Sequence, residues 1–303
     1  MTTVRGARAR ARDEVTAAIK DEARRQLAAE GAAKLSLRAV ARELGMVSSA
    51  LYRYFPSRDD LLTALIVDAY DALGAAAEAA LRATSPAASS ADAPAAAPVT
   101  SGTAGSAATR ATPGAGASAS SPGPAAPGAP ATPGAPAAPG AFTAPGAPPT
   151  AGASDPGGPQ VTPRGRWVVV CRAVREWAKA HPHEYALIYG SPVPGYSAPQ
   201  ATVAPASRAA HVLLAVLREA HRTDGVAPPP LAADLRAEGE RLAAELAPDL
   251  PPALVLAFVG AWCQLFGLVS FEVFGHFHRV VEDPEAFFTH AADRLGRDLG
   301  LLR

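Results

Sequence analysis

The chain has 303 residues, enough for two domains, and its 28 Lys+Arg balance 28 Asp+Glu to a net charge of zero. The balance is uneven: residues 1–58 carry 12 basic against 6 acidic side chains, and the remainder 16 against 22, so a basic head that suits a polyanion precedes a mildly acidic body. Two cysteines exclude a disulfide framework, and the start MTTVRGARARARDEV, which has no apolar run, is not expected to be a signal peptide.

Cys171 and Cys263 both lie in apolar runs and read as buried free thiols in a reducing cytoplasm. Three stretches differ in composition. Residues 1–83 are charged and helical in pattern. Residues 84–163 hold 17 of the 30 prolines and three charges, Asp92, Arg110 and Asp155, and repeat the unit PGA. Such a segment buries too little apolar surface to offset the entropy of ordering it, and it is expected to be a disordered low-complexity insert. Residues 164–303 return to helical periodicity. Alternation of β-branched residues is nearly absent, so the fold class is all-α.

In chain order, a first helix is expected over residues 12–30, with Val15, Ile19, Ala23 and Leu27 on its apolar face and Gly31 at its end. Ser36 is placed to cap a second helix, SLRAVAREL, whose Leu37, Val40, Ala41 and Leu44 form one buried stripe. Gly45 permits a sharp turn into a third helix, VSSALYRYF. There Leu51 and Phe55 point inward, leaving Val47, Ser48, Ser49, Ala50, Tyr52 and Arg53 outside. Pro56 stops this helix. Ser57 caps the next, with Asp60 in the capping-box position, and this connecting helix is expected over 61–83. A helix, a glycine turn and a short helix with small polar residues at its start make a helix-turn-helix layout over 10–60. The second helix of such a pair enters the major groove by its N-terminal residues. The arginines 5, 8, 10 and 12 suit either a DNA-contacting arm or a disordered basic tail.

The run LRAVARELGMVSSALYRYFPSRDDLLTAL resembles the signature of the tetracycline-repressor-like (TetR) family. The match covers roughly residues 10–75 and departs at Val47, where that signature often has serine. The resemblance implies that Ser36 and Arg38 touch phosphate, that Val47, Ser48, Ser49 and Ala50 open the base-reading helix, and that Tyr52, Tyr54 and Arg58 hold the flanking backbone. The alternative for both tyrosines is packing between helices.

Beyond the insert, helices are expected over 166–180 (Trp167, Val170, Val174 and Trp177 on one face), over HEYALIYGS, and over 206–222, 231–247, 252–275 and about 284–299. The stretches EYALIYGSPVPGY, WCQLFGLVSFEVFGHF and DPEAFF resemble a C-terminal domain found on some TetR-like regulators. This implies that residues 164–303 bind an effector and dimerise. The 252–275 segment is nearly long enough to span a bilayer, but Gln264 and Glu272 interrupt it, and a bundle core or dimer helix with no membrane contact is the expected role. The aromatics Trp177, Tyr185, Tyr189, Phe258, Trp262 and Phe266 suit either plain core or a pocket for a small apolar or aromatic effector, with Tyr185, Tyr189 or Gln264 orienting it. No nucleophile–base pair, phosphate loop or metal-ligand spacing is evident, so neither an enzyme nor a cofactor is expected.

The function these features suggest is a cytoplasmic, ligand-responsive repressor that binds double-stranded operator DNA, with pseudo-palindromic symmetry, as a homodimer. An activator, a regulator controlled by a protein partner through the insert, and a helical small-molecule carrier stand as alternatives.

Overall fold

A computed structural model describes residues 2–85 and 161–302; the expected disordered insert lies, apart from its two ends, outside the described residues. Those described are all-α: ten helices and three short 3-10 turns, with one isolated bridge between Val226 and Leu301 and no strand.

The first helix, α1 (Thr2–Glu30), starts well before the expected residue 12. The reason is local: ARARAR pairs two strong helix formers, and nothing in it breaks the helix. Arg8, Arg10 and Arg12 therefore stand exposed on a helix rather than on an irregular tail, while the Arg5 side chain lies outside the described residues. A 3-10 turn at Ala32–Lys34 leads to α2 (Leu37–Glu43), where the Ser36 hydroxyl accepts from the Ala39 N–H at 3.5 Å. Gly45, at φ +63°, takes the left-handed turn that follows.

The next helix, α3 (Ser48–Leu51), is much shorter than the nine residues VSSALYRYF suggested. Val47 fills its N-cap position without a side-chain bond, and the Arg53 and Tyr54 N–H groups bond carbonyls only three residues back. Ser57 then caps α4 (Arg58–Ala83), accepting from the Asp60 N–H at 3.1 Å. This helix belongs to two cores. Leu61, Leu62, Leu65 and Ile66 pack with Ile19, Leu27, Val40, Leu51 and Phe55, whereas Ala69, Leu73 and Ala77 join the larger C-terminal cluster. A boundary at residue 60 thus falls inside one unbroken helix.

After residue 161 come α5 (Pro163–Ala180), α6 (Pro182–Tyr189), α7 (Val203–Arg222), α8 (Arg236–Leu246), α9 (Pro252–Val273) and α10 (Pro284–Asp298). Contact between α4 and α7 is close because Gly74 has no side chain: a Cβ there would lie 2.7 Å from the Cβ of Arg208. The Arg208 guanidinium then reaches Asp71 at 2.7 Å and Glu78 at 2.9 Å on α4, and that bond holds the Glu78 carboxyl below its ordinary pKa. Arg175 on α5 is almost fully buried. Its guanidinium forks onto Glu272 of α9 at 2.6 and 2.7 Å, also bonds Glu285 of α10, and lies over the Phe288 ring.

The long apolar helix α9 meets the length and hydropathy of a membrane span. It nevertheless buries Leu254, Val255, Phe258, Ala261, Leu265, Phe266 and Val269 in the C-terminal core and carries the Arg175 partner Glu272. Its opposite face, with Gly260, Cys263, Gln264, Gly267 and Phe271, is exposed. One expectation is corrected there: Cys263 is exposed and only Cys171 is buried. The Gln264 amide donates to the Gly260 carbonyl on the open face. Sequence apolar all round does not reveal which side of a helix its neighbours cover.

Candidate functional site

Val47, Ser48 and Ser49 project from the start of α3, with Ala50 half-buried behind them. Val47 is 71% exposed, unusually open for a branched apolar side chain. The tyrosines divide: Tyr52 is exposed, while Tyr54 packs against the core of the head with the Arg12 guanidinium 5.5 Å from its ring centroid. Ser36 is half-buried and engaged as the α2 cap, and Arg38 is exposed. Arg58 is held by the head itself, donating to the carbonyls of Ala32 and Ala33 at 2.8 and 3.3 Å.

The positive charge of the head is therefore partly internal. Lys20 and Arg24 both bond Asp68 of α4, at 2.8 and 2.7 Å, and Arg24 also lies 3.8 Å from Glu184 of α6. Lys34, Arg38 and Arg53 are exposed without an acidic partner among the described residues. Sequence reasoning passed over Lys34; its position beside the α2 cap was the available signal.

A cavity of about 650 Å³ lies where α4, α6, α7 and α9 meet. One face of α7 (Val203, Ala206, Ser207, Ala210, His211 and Leu214) lines it, with Ile66 and Tyr70 from α4, Phe258, Val259 and Trp262 from α9, and residues of the segment after α6. No Lys, Arg, Asp or Glu is among the lining residues.

Of the six aromatics expected at a pocket, Phe258 and Trp262 line this cavity and Tyr189 lines a second one. The other three are outside both. Trp177 stacks on His181 at 5.1 Å. Tyr185 is buried, its hydroxyl donating to the Phe266 carbonyl at 3.2 Å and pairing with Ser270 at 2.8 Å; burial pushes its pKa up to about 12. The Phe266 ring centroid lies 4.3 Å from those of both Tyr189 and Trp262, so the expected aromatics other than Trp177 form a continuous row joining the two cavities. The lining residues of α4 and α7 and Tyr196 were missed, because lone small or apolar residues carry no pocket signal until helices are placed beside one another.

Several cavity residues also touch the reading head. Leu187, Ile188, Val193 and Tyr196 line the cavity and pack against the core formed by α1–α4, and the Tyr196 hydroxyl lies 3.0 Å from the Thr63 hydroxyl on α4. Tyr70 donates a long 3.4 Å bond to the Ile188 carbonyl.

Residues 19–65 match the family described as bacterial regulatory proteins, tetR family, and residues 167–295 match the tetracycline repressor-like C-terminal domain. The HTH-type transcriptional regulators Rv1816 of Mycobacterium tuberculosis and Mb1846 of Mycobacterium bovis are each 30% identical over 291 residues, covering 93% of this chain and 91% of theirs. Among solved structures, SCO4313, described as a regulatory protein, superposes with a TM-score of 0.57 at 26% identity, over 94% of this chain and 97% of that one. A Rhodococcus sp. RHA1 protein shares the fold alone, with a TM-score of 0.55 at 17% identity, over 95% of each chain. The basic helix-turn-helix head, the helical C-terminal body and both matched regions lead to one conclusion: the chain belongs to the tetR family of DNA-binding transcriptional regulators.

Proposed function

We propose that this regulator is a ligand-responsive repressor that binds a pseudo-palindromic operator as a cytoplasmic homodimer. The observation that carries the reading is the cavity whose walls are shared with the reading head, through Ile66, Val193 and Tyr196. A ligand that fits the cavity only when the head is displaced has differential affinity for the two states, and this is all that release requires.

The operator contact is assigned to α3. Ser48, Ser49 and Ala50 are small enough to bring the backbone close to base edges, and the exposed Val47 suits a thymine methyl. Tyr52, Lys34, Arg38 and Arg53 serve the phosphates; Ser36, Tyr54 and Arg58 hold the head's own geometry, and reach DNA only if those bonds are exchanged. The C-terminal cavity takes a small, uncharged, mostly apolar or aromatic effector: a charged group buried among its lining would meet no permanent countercharge, His211 being the one basic side chain there. The second copy docks on the open face of α9, which continues into the exposed Phe271 and Phe274.

The test is a mobility shift with the chain's own promoter DNA, with and without a library of neutral aromatic compounds. At least one compound that quenches Trp262 fluorescence should weaken operator binding about 5- to 150-fold. Compounds that fill the cavity and leave operator affinity unchanged would refute ligand response while leaving DNA binding intact.

A further inference from the structure

The second cavity, about 740 Å³, is bounded by the reading head on one side and the C-terminal helices on the other. Leu27, Gly31, Ala32 and Ala33 contribute from the head, and His183, Ala186, Tyr189 and Phe274 from the body. It shares a wall with the first cavity, formed by Leu187 and residues 190–193.

Three observations bear on what it holds. No Lys, Arg, Asp or Glu lines it, and His183 is its one basic side chain, so a buried formal charge would find no permanent countercharge there. Tyr189 is the aromatic handle: burial raises its pKa well above the ordinary tyrosine value, so its hydroxyl stays neutral and can donate to an acceptor. The carbonyls of Ala32 and Ala33, on the head's side of the cavity, are those that hold Arg58 at the start of α4.

We propose that this cleft is a second ligand site, for an uncharged and mostly apolar molecule bearing a hydrogen-bond acceptor for Tyr189, whose occupancy fixes the reading head against the body. Such a molecule touches the end of α1 and α6 at once, so it binds one head position better than another and shifts that equilibrium. The site stands apart from the effector cavity of the preceding section, but the shared wall couples the two, and each occupant changes the affinity for the other by the same factor.

Titration of the full chain with Nile red, an uncharged apolar dye, followed by fluorescence and calorimetry, tests this. Two sites per chain are expected. Ala186→Trp, from the body, and Ala33→Trp, from the head, should each remove one site with no change in thermal midpoint, and Ala210→Trp should remove the other. Tyr189→Phe should weaken the second-cavity site about 5-fold, one hydrogen bond's worth. A single site that only Ala210→Trp abolishes would overturn the proposal, as would two sites surviving in folded Ala186→Trp and Ala33→Trp. A single site that only Ala186→Trp and Ala33→Trp abolish would support it and instead remove the first cavity as the effector site. The anion 8-anilinonaphthalene-1-sulfonate should not fill the second cavity; its saturable displacement by Ala186→Trp would overturn the assigned ligand class.

Discussion

Ser49 and Arg175 mark the two ways one residue matters in this chain. Ser49 is exposed at the first turn of α3 and supports nothing in the core, so its substitution acts on DNA alone. Ser49→Trp should leave the melting temperature unchanged and abolish operator binding in a mobility shift, because the indole keeps the helix out of the groove; normal binding would mean that another helix reads the bases. Tyr52→Ala, by contrast, should weaken binding to specific and non-specific DNA alike, since phosphate contacts position without specifying. Arg175 lies far from that surface and ties three helices through Glu272 and Glu285. Truncating one partner of a buried pair leaves the other charge unpaired, so Arg175→Ala should cost about 3–5 kcal/mol in urea unfolding. Arg175→Met, whose apolar side chain adds no charge of its own, still strands Glu272 and should be nearly as damaging; a loss below 1 kcal/mol in either variant would show the pair to be dispensable.

At the scale of elements, the segment between α6 and α7 joins the first cavity to the reading head. Its Tyr196 reaches Thr63 at 3.0 Å while lining the first cavity. Tyr196→Phe removes that bond and little else. It should bind ligand and operator with near-native affinity, yet show at least a 3-fold smaller effect of ligand on operator binding, measured as the ratio of operator Kd with and without ligand. An unchanged ratio would place the coupling in α4 alone. Most helices here were legible from periodicity, because the stripes Leu37, Val40, Ala41 and Ile19, Ala23, Leu27 are long-range packing written in local spacing. The length of α3 was not. Val47 gives no cap signal, and nothing in LYRYF says that the backbone tightens to three-residue bonds at Arg53 and Tyr54. Nor could spacing foresee that Arg58 caps Ala32 and Ala33, since the partners are 25 and 26 residues apart.

For the whole molecule, the sequence was informative about class and silent about partition. The basic excess of residues 1–58 located the DNA-facing end, but a charge count could not separate Lys20 and Arg24, neutralised by Asp68, from Lys34, Arg38 and Arg53, which remain open. Aromatic content pointed to a pocket in the C-terminal half, yet its walls also come from Ile66 and Tyr70 of α4 and from one face of α7, residues whose roles exist only once the helices have packed. The uncovered face of α9 is what the proposed homodimer requires, and a two-fold dimer must read two half-sites whose centres lie about 34 Å apart or a multiple of it. The most direct test is selection of bound duplexes from a random pool by the full chain, followed by sequencing. Enrichment of an inverted repeat with a fixed spacing, lost in Ser49→Trp, is the expected result. Enrichment of a single asymmetric half-site, or of no sequence at all, would contradict the reading of this regulator as a homodimer that recognises its operator through α3.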